Sequence, residues 1–269
     1  QGFTLEYFRI LFSNEIQVQS IFNSFKIGVA STILCAILCF PLSVISVRYE
    51  FYGKKFFTAL LLVPMIMPPF VGAIGIQRFF AQYGAINILL LEKGWIQSPI
   101  DWLSSEHMFW VVVILEVLHL YPILYLNLTA ALANVDPSLE EMADTMGVSK
   151  FRRYIDIVWP SIWPGLFAGS IIVFIWALTD LGTPLLVGYQ ETMPVHIFQM
   201  VTDSNENPMG FALVFVVIAV TSFFFLLSKK FTNKKNYEMM AKGHVTSPVQ
   251  KPRKLCQVGV CLFLSGFIF

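Results

Sequence analysis

The sequence predicts an all-α, polytopic membrane protein. Of its 269 residues, 56% are hydrophobic and only 13% are charged, which lies outside the usual composition of soluble domains. The apolar residues occur in long runs separated by short polar segments, and a helix needs about 20 such residues to cross the hydrocarbon core. Lysine and arginine are confined mainly to alternate segments. We therefore expect about five complete transmembrane helices and the start of a sixth.

Each apolar run is expected to be a helix, because every backbone polar group inside a bilayer needs a partner within the protein. The five predicted spans are Phe25–Val47, Phe56–Phe80, Phe109–Leu132, Ile162–Val187 and Phe211–Leu227. A further run, Leu255–Phe269, is still apolar at the last residue and is shorter than a full span. The first residue is Gln1, and we expect another span before it, so the sequence indicates an internal piece of a longer membrane protein.

Lysine and arginine predict the orientation, since they are retained in cytoplasmic loops. They concentrate in the first, third and fifth loops: Arg48, Lys54, Lys55; Lys150, Arg152, Arg153; and Lys229, Lys230, Lys234, Lys235, Lys242, Lys251, Arg253, Lys254. The intervening loops are poorer in both residue types. We therefore predict an external segment 1–24, a transmembrane domain 25–231, a cytoplasmic basic linker 232–254 and the start of another span at 255–269.

The cysteines predict neither a metal site nor a cofactor site. Cys35 and Cys39 lie in one apolar run, Cys256 and Cys261 in another, and no His or acidic residue accompanies either pair at ligand spacing. Cys35 and Cys39 share a helical face, but a metal needs more than two ligands. All four are predicted to be small buried apolar residues. Nucleic-acid binding is not predicted either, because no basic face is interleaved with exposed aromatic residues.

The cytoplasmic segment 134–160 has the pattern of two short helices. Asp136 before Pro137 is a start signal, and Ser138 three residues before Glu141 is an alternative capping box. Leu139, Met142, Ala143 and Met146 recur at helical spacing and predict one apolar face. Gly147 is expected to end this helix.

The second helix is predicted to begin near Ser149. Its apolar residues are Phe151, Tyr154, Ile155 and Val158, and Pro160 is expected to stop it. Two helices joined by a glycine elbow would make a rigid, bent connection to the fourth span. Periodicity alone favours an ordinary amphipathic hairpin lying on the membrane surface.

The spacing of particular residues favours a more specific interpretation. Glu141-Met-Ala-x-x-x-Gly147, followed after nine residues by Ile157-x-Trp-Pro160, resembles the EAA loop of binding-protein-dependent ABC importer permeases. Met142 and Trp159 replace an Ala and a Leu of that pattern, and both remain apolar. By this resemblance, residues 134–160 are a coupling loop on the cytoplasmic side.

The resemblance implies how such a protein works and what it binds. The coupling loop would dock in a cleft of a separate cytoplasmic ATPase dimer, with the coupling function carried by Glu141, Met142, Ala143, Gly147, Ile157 and Pro160. The chain has no Gly-x-x-x-x-Gly-Lys-Ser/Thr phosphate loop, so it is predicted to be a transport subunit and not an enzyme. The implied location is the bacterial cytoplasmic membrane, with a periplasmic or lipid-anchored binding protein supplying the cargo.

Two further segments look like those of double-length ferric-iron-type permeases, in which two homologous halves are fused. They are Val63–Gly75 and Leu178–Gly188. This resemblance implies a second permease half, expected in the same polypeptide, and ferric iron as the first candidate cargo. Phosphonates, sugar phosphates, polyamines and thiamine remain open.

Three ionisable residues lie within predicted spans, where charge is costly unless it faces a partner or water. Glu116 and His119 are three residues apart and share a helical face, so they either pair with each other or line a translocation path. Asp180 either lines an outer gate or forms hydrogen bonds where its helix is interrupted. Pro64, Pro68 and Pro69 predict a kinked second span.

A secondary transporter or channel with a fortuitous EAA-like loop is the alternative function. Such a protein needs no ATPase, and its ion path is expected to contain more intramembrane charge or paired broken helices than this sequence has. A membrane scaffold would need no loop motif.

Overall fold

The computed structural model describes residues 6–202 and 208–234, and that part of the chain is built from α-helices and one π-helical turn. The predicted span 255–269, with Cys256 and Cys261, lies outside the described residues, as does 235–254 of the predicted linker. The helices are α1 (Glu6–Ser13), α2 (Glu15–Arg48), α3 (Lys54–Leu61), α4 (Val63–Ile66), α5 (Pro69–Phe80), α6 (Ala85–Glu92), α7 (Ser105–Ala133), α8 (Pro137–Thr145), α9 (Lys150–Arg153), α10 (Trp159–Thr179), α11 (Gly182–Val187), α12 (Met193–Thr202) and α13 (Pro208–Lys234), with the π turn at Tyr154–Val158.

Four helical stretches in the described residues are long and apolar enough to cross a membrane, and a broken pair makes five. The four are Glu15–Arg48, His107–Ala133, Lys150–Thr179 and Gly210–Lys230, and the broken pair is Lys54–Ile66 with Phe70–Glu92. These stretches contain the five predicted spans, except for the break at 67–69 in the second and the end of the fourth. The predicted all-α polytopic class is confirmed.

The first span is longer than its hydropathy indicates. Helix α2 has 34 residues, or about 51 Å at 1.5 Å per residue, against about 30 Å for the hydrocarbon core. It begins ten residues before the predicted Phe25 because its first part buries polar side chains. Asn23 donates to the backbone and carboxylate oxygens of Glu191, both at 3.3 Å, and Ser24 Oγ accepts from the Met193 N–H at 2.8 Å.

Prolines break the second span instead of only kinking it. Helices α3 and α4 precede the break, and α5 follows Pro68, whose backbone is extended at φ −58° and ψ 140°. Proline lacks an N–H donor, and it disfavours helical geometry in the residue before it. Consecutive prolines at 68 and 69 therefore end one helix and start the next.

The fourth span is also interrupted. Helix α10 ends at Thr179 and α11 starts at Gly182. The two carboxylate oxygens of Asp180 accept from the backbone N–H groups of Gly182 and Thr183, at 3.2 Å and 2.9 Å. Asp180 therefore satisfies N–H groups that the start of a helix leaves without partners.

A single buried asparagine organises the segment after the second span. The two N–H groups of the Asn87 amide are shared among the carbonyls of Ala81, Gln82 and Ile100, at 3.3, 3.0 and 2.7 Å from Nδ2. Its oxygen accepts from the Ile100 N–H and from Trp102 Nε1, at 3.2 and 3.1 Å. One fully buried side chain thus fixes α6 and the chain that follows it.

The described residues form two compact units. One contains residues 6–33, 67–120, 174–202 and 208–224, and the other contains 34–66, 121–173 and 225–234. The described parts of the segments predicted to be external fall in the first unit, and the described parts of the segments predicted to be cytoplasmic fall in the second. The orientation inferred from the lysines and arginines stays a prediction.

Candidate coupling loop and transport-path residues

Helix α8 starts with one of the two caps that the sequence allows. The Asp136 Oδ1 atom accepts from the Ser138 N–H at 2.9 Å, and Pro137 occupies the first helical position. Proline suits that position because its missing N–H would have no partner inside the helix. The Asp136 cap is confirmed in preference to the Ser138 capping box.

Gly147 forms the elbow between the two helices of the coupling loop. Its φ is +74°, in the left-handed region that favours glycine. The Gly147 N–H donates to the Asp144 carbonyl and the Val148 N–H to the Ala143 carbonyl, both at 3.0 Å. This pair of bonds is the Schellman motif, which satisfies the last carbonyls of a helix. A Cβ at Gly147 would have no atom within 4 Å. Glycine is therefore favoured here by the backbone conformation and not by a lack of space for a side chain.

The second helix of the coupling loop runs directly into α10. Ser149 accepts from the Arg152 N–H at 3.4 Å and starts α9 as predicted. The prediction that Pro160 stops this helix is wrong, because α9, the π turn and α10 are continuous. In a regular α-helix the proline ring would clash with the carbonyl of the residue four positions earlier. For Pro160 that residue is Asp156, which lies in the wider π turn.

The predicted coupling residues divide between two environments. Glu141, Gly147 and Pro160 are exposed, Ile157 is half-buried in the π turn, and Ala143 is buried. The predicted apolar face is therefore only partly buried. Ala143 is buried in the protein, whereas Leu139, Met142 and Met146 are 44%, 57% and 79% exposed. Phe151 continues the exposed apolar surface on α9 at 76%.

The inner side of the coupling loop is held by ion pairs. Arg48, the last residue of α2, donates from both terminal nitrogens to the Glu140 carboxylate, at 2.9 Å and 2.6 Å. Arg153 lies 3.7 Å from the same carboxylate and also pairs with Asp144. Sequence reasoning missed this network, and the 92 positions between Arg48 and Glu140 leave no local signal for it.

Close helix packing supports the coupling loop. The buried side chains of Leu132, Val135, Val158 and Ile162 form one cluster. A Cβ at Gly165 would lie only 2.6 Å from the Ala131 Cβ. Helices α10 and α7 are therefore so close at this point that only glycine fits there. The end of α7, the loop and the start of α10 are thereby packed together.

Glu116, His119 and Asp180, the predicted path residues, lie together. The Glu116 side chain is beside Asp180 and Thr183, and Asp180 is also the charged neighbour of His119. No hydrogen bond or ion pair joins Glu116 to His119 in the described part of the chain. Glu116 is 2% exposed, and its Oε1 atom has no hydrogen-bond partner. Asp180 also forms the backbone hydrogen bonds predicted as its alternative role.

The predicted burial of the cysteines is confirmed for the described pair. Cys35 and Cys39 are both fully buried and neither forms a disulfide, and the Cys39 thiol donates to the Tyr121 carbonyl at 3.1 Å. Within 6–202 and 208–234, no group of three or more His, Cys, Asp and Glu residues is placed to hold a metal ion.

Comparison with known families explains the loop and the spans together. Residues 33–236 match the family described as the binding-protein-dependent transport system inner membrane component. The chain belongs to this family. It is therefore a permease subunit of an ABC importer and a multi-pass protein of the bacterial cytoplasmic membrane, a transport component and not an enzyme.

Curated relatives of this permease carry different cargo names. It is 27% identical to the putative molybdenum transport system permease protein YvgM of Bacillus subtilis over 77% of this chain and 91% of that protein. It is 30% identical to the putative ferric transport system permease protein FbpB 1 of Haemophilus influenzae, over 63% of this chain but only 26% of that longer protein. A spermidine/putrescine permease protein, PotB of Haemophilus influenzae, is 25% identical over 86% of this chain and 82% of that protein.

Solved structures share the fold of this permease. A chain of a bacterial ABC transporter that imports the acidic polysaccharide alginate superposes with a TM-score of 0.70 at 15% identity, covering 87% of this chain and 85% of that chain. A chain of the MetNI methionine ABC transporter, in inward-facing conformations, gives a TM-score of 0.57 at 11% identity, covering 86% of this chain and 99% of that chain.

Proposed function

We propose that the permease moves a solute inward, driven by a separate cytoplasmic ATPase dimer that docks on the coupling loop. The observation that carries this proposal is the exposed apolar surface of Leu139, Met142, Met146 and Phe151 on a capped helix pair that continues into a spanning helix. Large exposed apolar side chains rimmed by charge are typical of a protein interface. A displacement of α8 would be transmitted through the elbow and the π turn to α10.

A substrate-binding protein on the outer side and a second permease half, expected in the same polypeptide, complete the proposed assembly. One of the structural neighbours is an alginate ABC transporter in complex with a pentasaccharide-bound periplasmic protein. The present permease has the same fold as a chain of that complex, which supports a binding-protein partner here.

Purification of the complete protein in detergent tests this assembly. We expect an ATPase subunit to co-purify in stoichiometric amount, and ATP hydrolysis to rise when the loaded binding protein is added to reconstituted proteoliposomes. A secondary transporter or channel would move its cargo without nucleotide. Uptake that continues with no ATPase present would contradict the proposal.

We propose a cationic cargo, with ferric iron as the first candidate and a polyamine as the second. Glu116 and Asp180 place two carboxyl groups side by side in the unit that contains the predicted outer segments. A buried and a half-buried carboxyl group this close cannot both carry a charge on their own, so they either share a proton or bind a cation. Carboxylate oxygens suit a hard cation or an ammonium group and repel oxyanions such as molybdate and sulfate.

Glu116→Gln is expected to lower cargo uptake about tenfold, corresponding to about 1.4 kcal/mol. The amide keeps the size of the side chain but cannot ionise or bind a cation as a carboxylate, and Glu116 forms none of the backbone caps that Asp180 forms. Labelled ferric iron, putrescine, molybdate and sulfate should be compared in vesicles that contain the complete transporter. Glu92→Gln, an exposed acidic residue at the end of α6, is the matched control. Unchanged uptake in Glu116→Gln, or transport of only the oxyanions, would contradict the cationic cargo.

A further inference from the structure

Glu140 and Glu141 are adjacent in sequence but have different surroundings. Glu141 is exposed and forms no ion pair in the described residues, whereas the side chain of Glu140 is 17% exposed and bonded to Arg48. The two bonds between Arg48 and Glu140 are parallel and charge-assisted, a geometry that fixes the orientation of both groups. Glu140 therefore faces the permease itself, and Glu141 is free to face a partner.

The Glu140 carboxylate is shared between two parts of the molecule. Arg48 ends the first span, and Arg153 lies in α9 with 13% of its side chain exposed. Arg153 also pairs with Asp144, one turn after Glu140 on α8. The inner face of α8 is thereby connected to α9 on one side and to α2 on the other.

Apolar contacts flank this connection. Phe40, four residues before Val44 on α2, packs edge-on against Tyr154 and Trp159 with ring centroids 6.0 Å and 5.9 Å apart. Val44 and Val47 pack on the cluster formed by the end of α7, the loop and the start of α10. The ion pairs line a cavity of about 330 Å³ beside these residues. Partial burial reduces screening by salt, so the pairs are stronger than exposed ones.

We propose that Arg48 and Arg153 are positioning residues that tie the coupling loop to the first span through Glu140. A displacement of α8 by the ATPase would then reach α2 directly, in addition to reaching α10 through the chain. This inference rests on the proposed coupling function. It adds a non-covalent route by which movement of α8 reaches α2. The chain itself offers no short route, because Arg48 and Glu140 are 92 positions apart in sequence.

A double-mutant cycle tests the tie in the complete transporter with its ATPase. Glu140→Gln and Arg48→Gln are each expected to lower uptake roughly tenfold, within the range of about 5- to 150-fold found for coupling between sites. The double variant should lose no more than either single variant, since each change breaks the same interaction. Basal ATP hydrolysis and co-purification of the ATPase should stay normal. Glu50→Gln, which removes the exposed pair with Lys54 at 3.1 Å, is the control and should transport normally.

A distance measurement tests the mechanical claim separately. Spin labels at Tyr52→Cys, next to the end of α2, and at Ser138→Cys, on α8, report whether the two move together. Cys256 and Cys261 would be replaced by Ser, whereas the buried Cys35 and Cys39 would stay. We expect one unchanged distance with and without ATP in the parent, and a nucleotide-dependent change in Glu140→Gln.

Several results would overturn the tie while leaving coupling by the loop intact. Multiplicative losses in the double variant would show that the two residues act independently. Loss of the ATPase from Glu140→Gln would indicate a role in folding or docking. A label distance that changes with ATP in the parent would exclude common movement. If Gly147→Val, described in the Discussion, uncouples transport but Glu140→Gln transports normally, only the tie is wrong; if both transport normally, the coupling function itself is wrong.

Discussion

Gly147→Val is expected to abolish uptake while the permease still inserts in the membrane. The elbow has φ +74°, and a side chain with a Cβ costs about 1–2 kcal/mol in that region, with the β-branched Val at the upper end. The chain would relieve this strain by changing the elbow, which alters the angle between α8 and α9. Uptake and substrate-stimulated ATP hydrolysis should both fall to background, whereas the amount of protein in the membrane should not change.

Gly147→Asn is the matched control for this prediction. Asparagine tolerates the left-handed region better than other non-glycine residues, and the space beside Gly147 is open. We therefore expect Gly147→Asn to retain most of the uptake. Normal uptake in Gly147→Val, or equal loss in both variants, would show that the elbow conformation does not control coupling. Gly147→Asp adds a charge at the same position and separates the effect of charge from that of conformation.

Met146→Asp is expected to release the ATPase from the purified complex. Met146 is 79% exposed, and full burial of such a side chain in an interface contributes about 1.5–3 kcal/mol. The substitution removes that contribution and places an unpaired carboxylate at the contact. The combined effect corresponds to at least a tenfold loss of affinity, and Met142→Asp should behave in the same way. Titration of the detergent-purified permease with the ATPase measures this affinity.

Two substitutions keep the docking prediction specific. Met146→Leu retains the apolar area and should bind the ATPase normally. Ser138→Asp adds a carboxylate to the first turn of the same helix, where it interacts favourably with the helix dipole, and should also bind. Unchanged affinity in both Met142→Asp and Met146→Asp would exclude this surface as the docking site.

Much of the fold follows from local signals in the sequence. The apolar runs predict the spans, and Asp136, Gly147 and Ser149 predict the caps and the elbow of the coupling loop. These features depend on residues only a few positions apart, so periodicity and capping rules detect them. Hydropathy fails at the start of α2 for a related reason. Its buried polar face is satisfied by Glu191 and Met193, which are 168 and 169 positions away from their partners.

The candidate sites show the same limit. The loop motif identifies Glu141, but nothing near Glu140 in sequence predicts its bond to Arg48. Asp180 was predicted either to line a gate or to form hydrogen bonds at a helix break, and in the structure it forms the bonds and also lies beside Glu116. The stop expected at Pro160 is absent because long membrane helices tolerate proline, as they also do at Pro41, Pro122 and Pro164.

The π turn at Tyr154–Val158 also fixes the rotation of the docking surface about its own helix. Successive residues of an α-helix are about 100° apart around the axis, and a π turn accommodates one extra residue without breaking the helix. If the same residues wound as a regular α-helix, the extra residue would rotate Phe151 and the elbow by about 100° relative to α10, whereas deletion of one residue there should let the turn relax to an α-helix and leave that rotation unchanged. The direction in which the docking surface faces therefore depends on the wider winding of the backbone in this turn.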